Sequence, residues 1–172
     1  MVTQCVREFV RNAFGRQGGR ELLALDIGTS RTGVAISRGQ KMARPMGIIS
    51  HGKGQSVANS MLFLSELVLT HDVGGVVVGW PLEDFHVEGK QCRYVMSQIR
   101  LLSEGKSACF HRMPILLCDE SFSTRNVEET GILMIQGNAK RSGVVDELVA
   151  ANLLQDVLDE IACVISGTVR VQ

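Results

Sequence analysis

Apolar residues recur along this chain with two periods. Residues 22–25 (Leu-Leu-Ala-Leu) and 76–78 (Val-Val-Val) are uninterrupted apolar runs, the mark of strands covered on both faces. The first predicts a strand over 21–26, and Thr-Gly-Val-Ala-Ile-Ser at 32–37 predicts a second. Arg-Gly-Gln at 38–40 offers a tight connection to a third strand near 42–50, so these three form an antiparallel meander. Val57, Met61, Leu64, Leu67 and Val68 fall at helical spacing. A fourth strand lies in Val-Gly-Gly-Val-Val-Val-Gly-Trp-Pro (73–81), a helix over about 88–104, and a fifth strand in Met-Pro-Ile-Leu-Leu-Cys-Asp-Glu (113–120). Helices over 124–136 and 144–161 complete the pattern. This order predicts an α/β fold, a mixed five-stranded sheet with helices on both faces.

A chain of 172 residues holds one domain with a substantial core. The predicted domain spans 21–162, preceded by an extension (1–20) and followed by a tail (163–172). In the extension, Val2, Val6, Phe9, Val10, Ala13 and Phe14 recur at helical spacing among four arginines and a lone acid, Glu8. Such a segment reads either as a short helix packed on the domain or as an organelle-targeting segment for a mitochondrion or plastid. Five cysteines without a Cys-x-x-Cys pair suit reduced thiols and a cytoplasmic setting. No apolar run approaches the roughly 20 residues needed to cross a bilayer, so no membrane partner is expected.

Acids mark the ends of two predicted strands: Asp26 closes the first, and Asp119 and Glu120 close the last. In open α/β sheets, sites form beyond the carboxyl ends of strands, where loops diverge and leave a crevice. Asp146 sits in the first turns of the last helix, just after a basic stretch. Carboxylates gathered from separate segments repel one another unless a cation lies between them, and hard oxygen ligands select Mg²⁺ or Mn²⁺. Each acid also has an ordinary reading: an Asx turn at Asp26, solvated chain ends at Asp119 and Glu120, a helix-dipole contact at Asp146.

The phrase Leu-Leu-Ala-Leu-Asp-Ile-Gly-Thr-Ser-Arg-Thr-Gly-Val-Ala-Ile-Ser (22–37) resembles the opening strand of the YqgF/RuvX family, with Asp26, Gly28 and Gly33 in place. Further segments follow in the family's order: Ala-Arg-Pro-Met-Gly-Ile-Ile (43–49), Gly-Gly-Val-Val-Val-Gly-Trp-Pro-Leu (74–82), the box Cys-Asp-Glu-Ser-Phe-Ser-Thr-Arg-Asn-Val-Glu-Glu (118–129), and the closing helix (145–159). The resemblance implies an RNase H-like fold and a metal-dependent nuclease acting on structured RNA, as in ribosomal RNA precursor processing, or on branched, Holliday-junction-like DNA. Under it, Asp26, Glu120 and Asp146 are the catalytic, metal-binding acids, with Asp119 beside them. Gly28, Thr29, Ser123, Thr124, Arg125, Lys140 and Arg141 would meet the substrate.

The chain departs from the family pattern at Ser121, which stands where an Arg is usual. A hydroxyl cannot replace a guanidinium that holds phosphate bidentately, although Arg125 lies close enough to substitute. A formal net charge of zero also argues against a strong nonspecific grip on nucleic acid. A catalytically silent RNase H-like binding or scaffold module is therefore the alternative. Sugar kinases and actin-like ATPases open with a similar Asp-x-Gly-Thr, but they need two domains that this length does not supply. His51, His71, His86 and His111 lack metal-ligand spacing and read as structural, and Trp80 reads as a core-closing ring.

Overall fold

The computed structural model describes residues 1–15, 19–39, 41–51, 60–83, 87–105, 109–119 and 144–166, the last segment without the side chains of 144–147. In chain order the elements are β1 (Val2–Thr3), α1 (Val6–Phe14), β2 (Glu21–Ile27), β3 (Arg31–Arg38), β4 (Met42–Ser50), α2 (Met61–Thr70), β5 (Val73–Trp80), β6 (Leu82–Glu83), β7 (Val87–Glu88), α3 (Lys90–Glu104), β8 (Ile115–Asp119) and α4 (Val144–Ser166). The main sheet runs β1-β8-β5-β2-β3-β4, while β6 and β7 form a separate small hairpin. Strands β2, β5, β8 and β1 are parallel, and β3 and β4 complete an antiparallel meander.

Both faces of the sheet are covered, which explains the uninterrupted apolar runs. Leu23, Leu25 and Ile27 of β2 pack with Leu64, Leu67 and Val68 of α2 and Val95, Ile99 and Leu102 of α3. The alternate residues Leu22 and Ala24 pack on the other side with Phe9, Ala13 and Phe14 of α1 and Leu154, Val157 and Leu158 of α4. Every residue of β5 is buried.

The main sheet has six strands rather than the five read from the sequence, because the N-terminal segment supplies an extra edge. Two residues pair Val2 with Ile115 and Thr3 with Leu116, a run too short to carry a period-2 signal. Helix α1 then lies across β5, where side chains are missing. A Cβ at Gly75 would come within 2.7 Å of the Phe9 ring and 2.9 Å of Ala13 Cβ, and one at Gly74 within 2.4 Å of the Ala13 carbonyl oxygen. The paired glycines are thus the seat of α1, and Phe9 is fully buried there.

Helix α4 continues to Ser166, so residues 163–166 of the expected tail belong to it. Gln155 anchors it to the β3–β4 end by accepting from the Ala43 N–H at 3.0 Å and donating to the Lys41 carbonyl at 3.3 Å. The helix expected over 124–136 and the residues before Met61 at helical spacing lie outside the described residues. Trp80 is 4% exposed and packs in the core on the α2/α3 side, as its reading from the sequence has it.

Candidate active site

Strands β2, β5 and β8 point the same way, so their carboxyl ends, Ile27, Trp80 and Asp119, share one edge of the sheet. Asp26 stands at that edge, partly exposed, one residue before β2 ends. The pleat sets its direction: it follows Leu22 and Ala24, which face α1 and α4, so its carboxylate leaves on that side. Its partner on β3 is Gly33, so no β3 side chain stands opposite it. On β5 the register pairs Leu25 with Val78, and the residue that follows is Gly79.

A tight turn joins β2 to β3. The Gly28 N–H donates to the Arg31 carbonyl at 2.9 Å, and a Cβ on residue 28 would lie 2.8 Å from that same oxygen. Glycine is required here for close approach of backbone to backbone. The His51 N–H fastens the turn from the end of β4 by donating to the Ser30 carbonyl at 3.0 Å. Beneath it, Thr32 Oγ1 and His51 Nε2 form a buried hydrogen bond of 3.0 Å. Both side chains are almost wholly buried, and the second ring nitrogen, Nδ1, has no hydrogen-bond partner among the described residues. Burial lowers the His51 pKa from its ordinary value, which holds the ring neutral. Above this support, Asp26, Gly28, Thr29, Ser30 and Arg31 line a shallow cleft.

Asp119, the last residue of β8, is in register with Trp80, which packs on the α2/α3 side, and it also lines a cavity with Cys118, Asp156 and Glu160 on the α4 side. Cys118, on the α4 side, has its thiol pushed up to about 12 by burial and then by the nearby Glu160 and Asp156 carboxylates. It is therefore a packed thiol and not a nucleophile.

Asp146 is the third residue of the α4 span, and its side chain is outside the described residues. Glu120, Ser121, Ser123, Thr124, Arg125, Lys140 and Arg141 also lie outside them. Among the described residues, no group of three or more His, Cys, Asp or Glu side chains could hold a metal ion. Gly28 and Thr29 do share the cleft with Asp26. Arg31 shares it too, and it was missed in the sequence because a lone Arg after a turn carries no spacing signal of its own. The available sign was parity, since Arg31 lies two residues from Gly33, the partner of Asp26.

The sequence model of the RuvX family, described as Holliday junction resolvase, matches residues 20–160. A Syntrophus aciditrophicus protein, provisionally named as a pre-16S rRNA nuclease, is 34% identical over 82% of this chain and 89% of its own length. A similarly named protein of Chelativorans sp. is 33% identical over 85% of this chain and 87% of its own. Among solved structures, T. thermophilus RuvC in complex with a Holliday junction substrate superposes with a TM-score of 0.53. It covers 83% of this chain and 96% of that one at 15% identity, a likeness of fold, and that fold is the RNase H-like one. Matched over most of its length by the family's sequence model and by full-length relatives, the chain belongs to the RuvX family.

Proposed function

We propose that this chain is a divalent-metal-dependent nuclease that hydrolyses phosphodiester bonds in structured RNA, the chemistry named for its pre-16S rRNA nuclease relatives. The observation that carries the reading is Asp26, a partly exposed carboxylate at the carboxyl end of a central strand, with a glycine as its β3 partner and a cleft beside it. A merely structural Asp at a strand end has no need of that space. Branched DNA is the second substrate to test, because the family is described as a Holliday junction resolvase.

Asp26, Glu120 and Asp146 would hold Mg²⁺ or Mn²⁺, since the set offers only hard oxygen donors. When bound, the ion supplies activation of the attacking water and charge neutralisation at the departing oxygen. The chain's own residues orient the substrate. Gly28 would let a phosphate approach the backbone, and Thr29, exposed in the cleft, would donate its hydroxyl to a phosphate oxygen. Ser123, Thr124, Arg125, Lys140 and Arg141 would share that role, with the basic residues meeting phosphates.

The test is hydrolysis of structured RNA, single-stranded RNA and branched DNA in Mg²⁺, Mn²⁺ or EDTA, with wild type beside Asp26→Asn and Asp146→Asn. Metal-dependent cleavage lost in both folded variants is the expected result, and the preferred substrate identifies the class. No cleavage of any substrate, with Mn²⁺ binding also absent, would overturn the reading in favour of a catalytically silent module.

A further inference from the structure

We propose that Arg31 binds a phosphate of the nucleic-acid backbone beside Asp26, making it a substrate-positioning residue of the site; this rests on the nuclease reading above. Parity within β3 gives the first argument. Thr32 pairs with Ile27 and Ile49, both in the core on the α2/α3 side, whereas Ala35 packs on the α4 side. Arg31 and Gly33 therefore lie on the α4 side, the face that carries the Asp26 carboxylate. Gly33 is directly opposite Asp26 and has no side chain, so the neighbouring β3 side chain on that face, toward the turn, is Arg31.

The second argument is the cleft itself. Its lining residues are Asp26, Gly28, Thr29, Ser30 and Arg31, and no other Arg or Lys among the described residues lines it. A cleft that combines an acid able to hold a cation with hydroxyls and a guanidinium fits a phosphodiester: the acid takes the metal, and the donors take the non-bridging oxygens. Guanidinium matches phosphate with two parallel hydrogen bonds, which fixes orientation as well as charge.

The third argument is rigidity. The Arg31 carbonyl is held by the Gly28 N–H, the preceding Ser30 carbonyl by the His51 N–H, and the following Thr32 side chain by the His51 ring. Three hydrogen bonds around one residue fix the backbone from which the Arg31 side chain extends. The zero net charge of the chain strengthens the inference, because attraction to a polyanion must then come from local groups such as this.

The test is binding of a fluorescently labelled RNA hairpin to the full chain across a series of KCl concentrations. Ca²⁺ replaces Mg²⁺ so that the probe stays intact. Wild type is compared with Arg31→Gln and Arg31→Lys, and Mn²⁺ affinity is measured separately for each. Arg31→Gln is expected to weaken binding roughly tenfold or more, as for loss of a charge-assisted hydrogen bond. It should also reduce the slope of log affinity against log salt by about 0.7–0.9, the loss of one phosphate contact. Arg31→Lys should keep most of the slope while still binding less tightly than wild type. Unchanged affinity and slope in Arg31→Gln would overturn the proposal. A shift in Mn²⁺ affinity with an unchanged slope would also overturn it, by making Arg31 a counter-ion of Asp26. If wild type itself neither binds nor cleaves nucleic acid, the nuclease reading falls first. If wild type cleaves and Arg31→Gln matches it, only the Arg31 assignment falls.

Discussion

Thr32 Oγ1 and His51 Nε2 meet at 3.0 Å in a buried hydrogen bond that ties the start of β3 to the end of β4. The bond lies on the face of the sheet opposite the Asp26 carboxylate and supports the turn that forms the Asp26 cleft. Replacing Thr32 with Val keeps the shape and removes the hydroxyl, leaving His51 with neither ring nitrogen paired among the described residues. Loss of a buried partner costs about 1–3 kcal/mol, so urea unfolding should show a destabilisation of that order. Because the same bond fixes the turn, kcat/KM should fall by more than the shift in stability alone explains, and Thr32→Ser should restore much of both.

Gly28→Ala tests the turn from above. The new Cβ would stand 2.8 Å from the Arg31 carbonyl oxygen, a backbone atom that cannot swing aside like a side chain. The turn must open, and the Gly28-to-Arg31 hydrogen bond is the first thing lost. The fold should survive, since the turn lies at the rim of the sheet and outside both core clusters. Cleavage should drop by at least about tenfold, because misplacing a positioning group by an ångström costs up to roughly 10²-fold. A variant with wild-type activity would show that the cleft at residues 28–31 plays no part in the chemistry.

Phe9→Ala asks whether the N-terminal segment is part of the folded core. Phe9 is fully buried against Gly75 of β5, and truncating a buried Phe typically costs about 3–5 kcal/mol. Thermal or urea unfolding of the variant should register a loss in that range, against the 5–15 kcal/mol that is the typical total for a domain. A segment carried loosely on the surface would instead give a change near zero.

The sheet was legible where its physics is local. Buried strands announce themselves as unbroken apolar runs, so β2 and β5 could be placed within a residue or two, and the Arg-Gly-Gln connection after β3 marked the meander. What escaped depended on distant partners. A two-residue edge strand has meaning only beside β8, and the seat of α1 at Gly74 and Gly75 becomes visible only when the Phe9 ring is placed over it. At the site, Asp26 and Gly28 could be singled out because strand ends and tight turns have compositional signatures. The levels of Asp26 and Asp119 along the shared edge required the register between strands, which no single segment encodes.

The last prediction concerns pH and follows from the same histidine. Burial lowers the pKa of His51 in the folded protein below the 6.5 of an exposed ring. The unfolded chain therefore takes up a proton at a pH where the folded chain does not, and stability must rise with pH wherever that holds. The contribution is fully present above about 6.5, the unfolded value. It declines as pH falls toward the lower folded value and levels off beneath it. Urea midpoints measured from pH 8 down to pH 5 for wild type and His51→Gln isolate this group, because every other titration is common to both chains. The glutamine variant should be less stable at pH 8, where the ring's buried packing and hydrogen bond to Thr32 are lost. The gap should then narrow as pH falls, since only wild type loses the histidine's contribution. A gap independent of pH would mean that the ring titrates alike in the folded and unfolded chains, and that its burial does not hold it neutral.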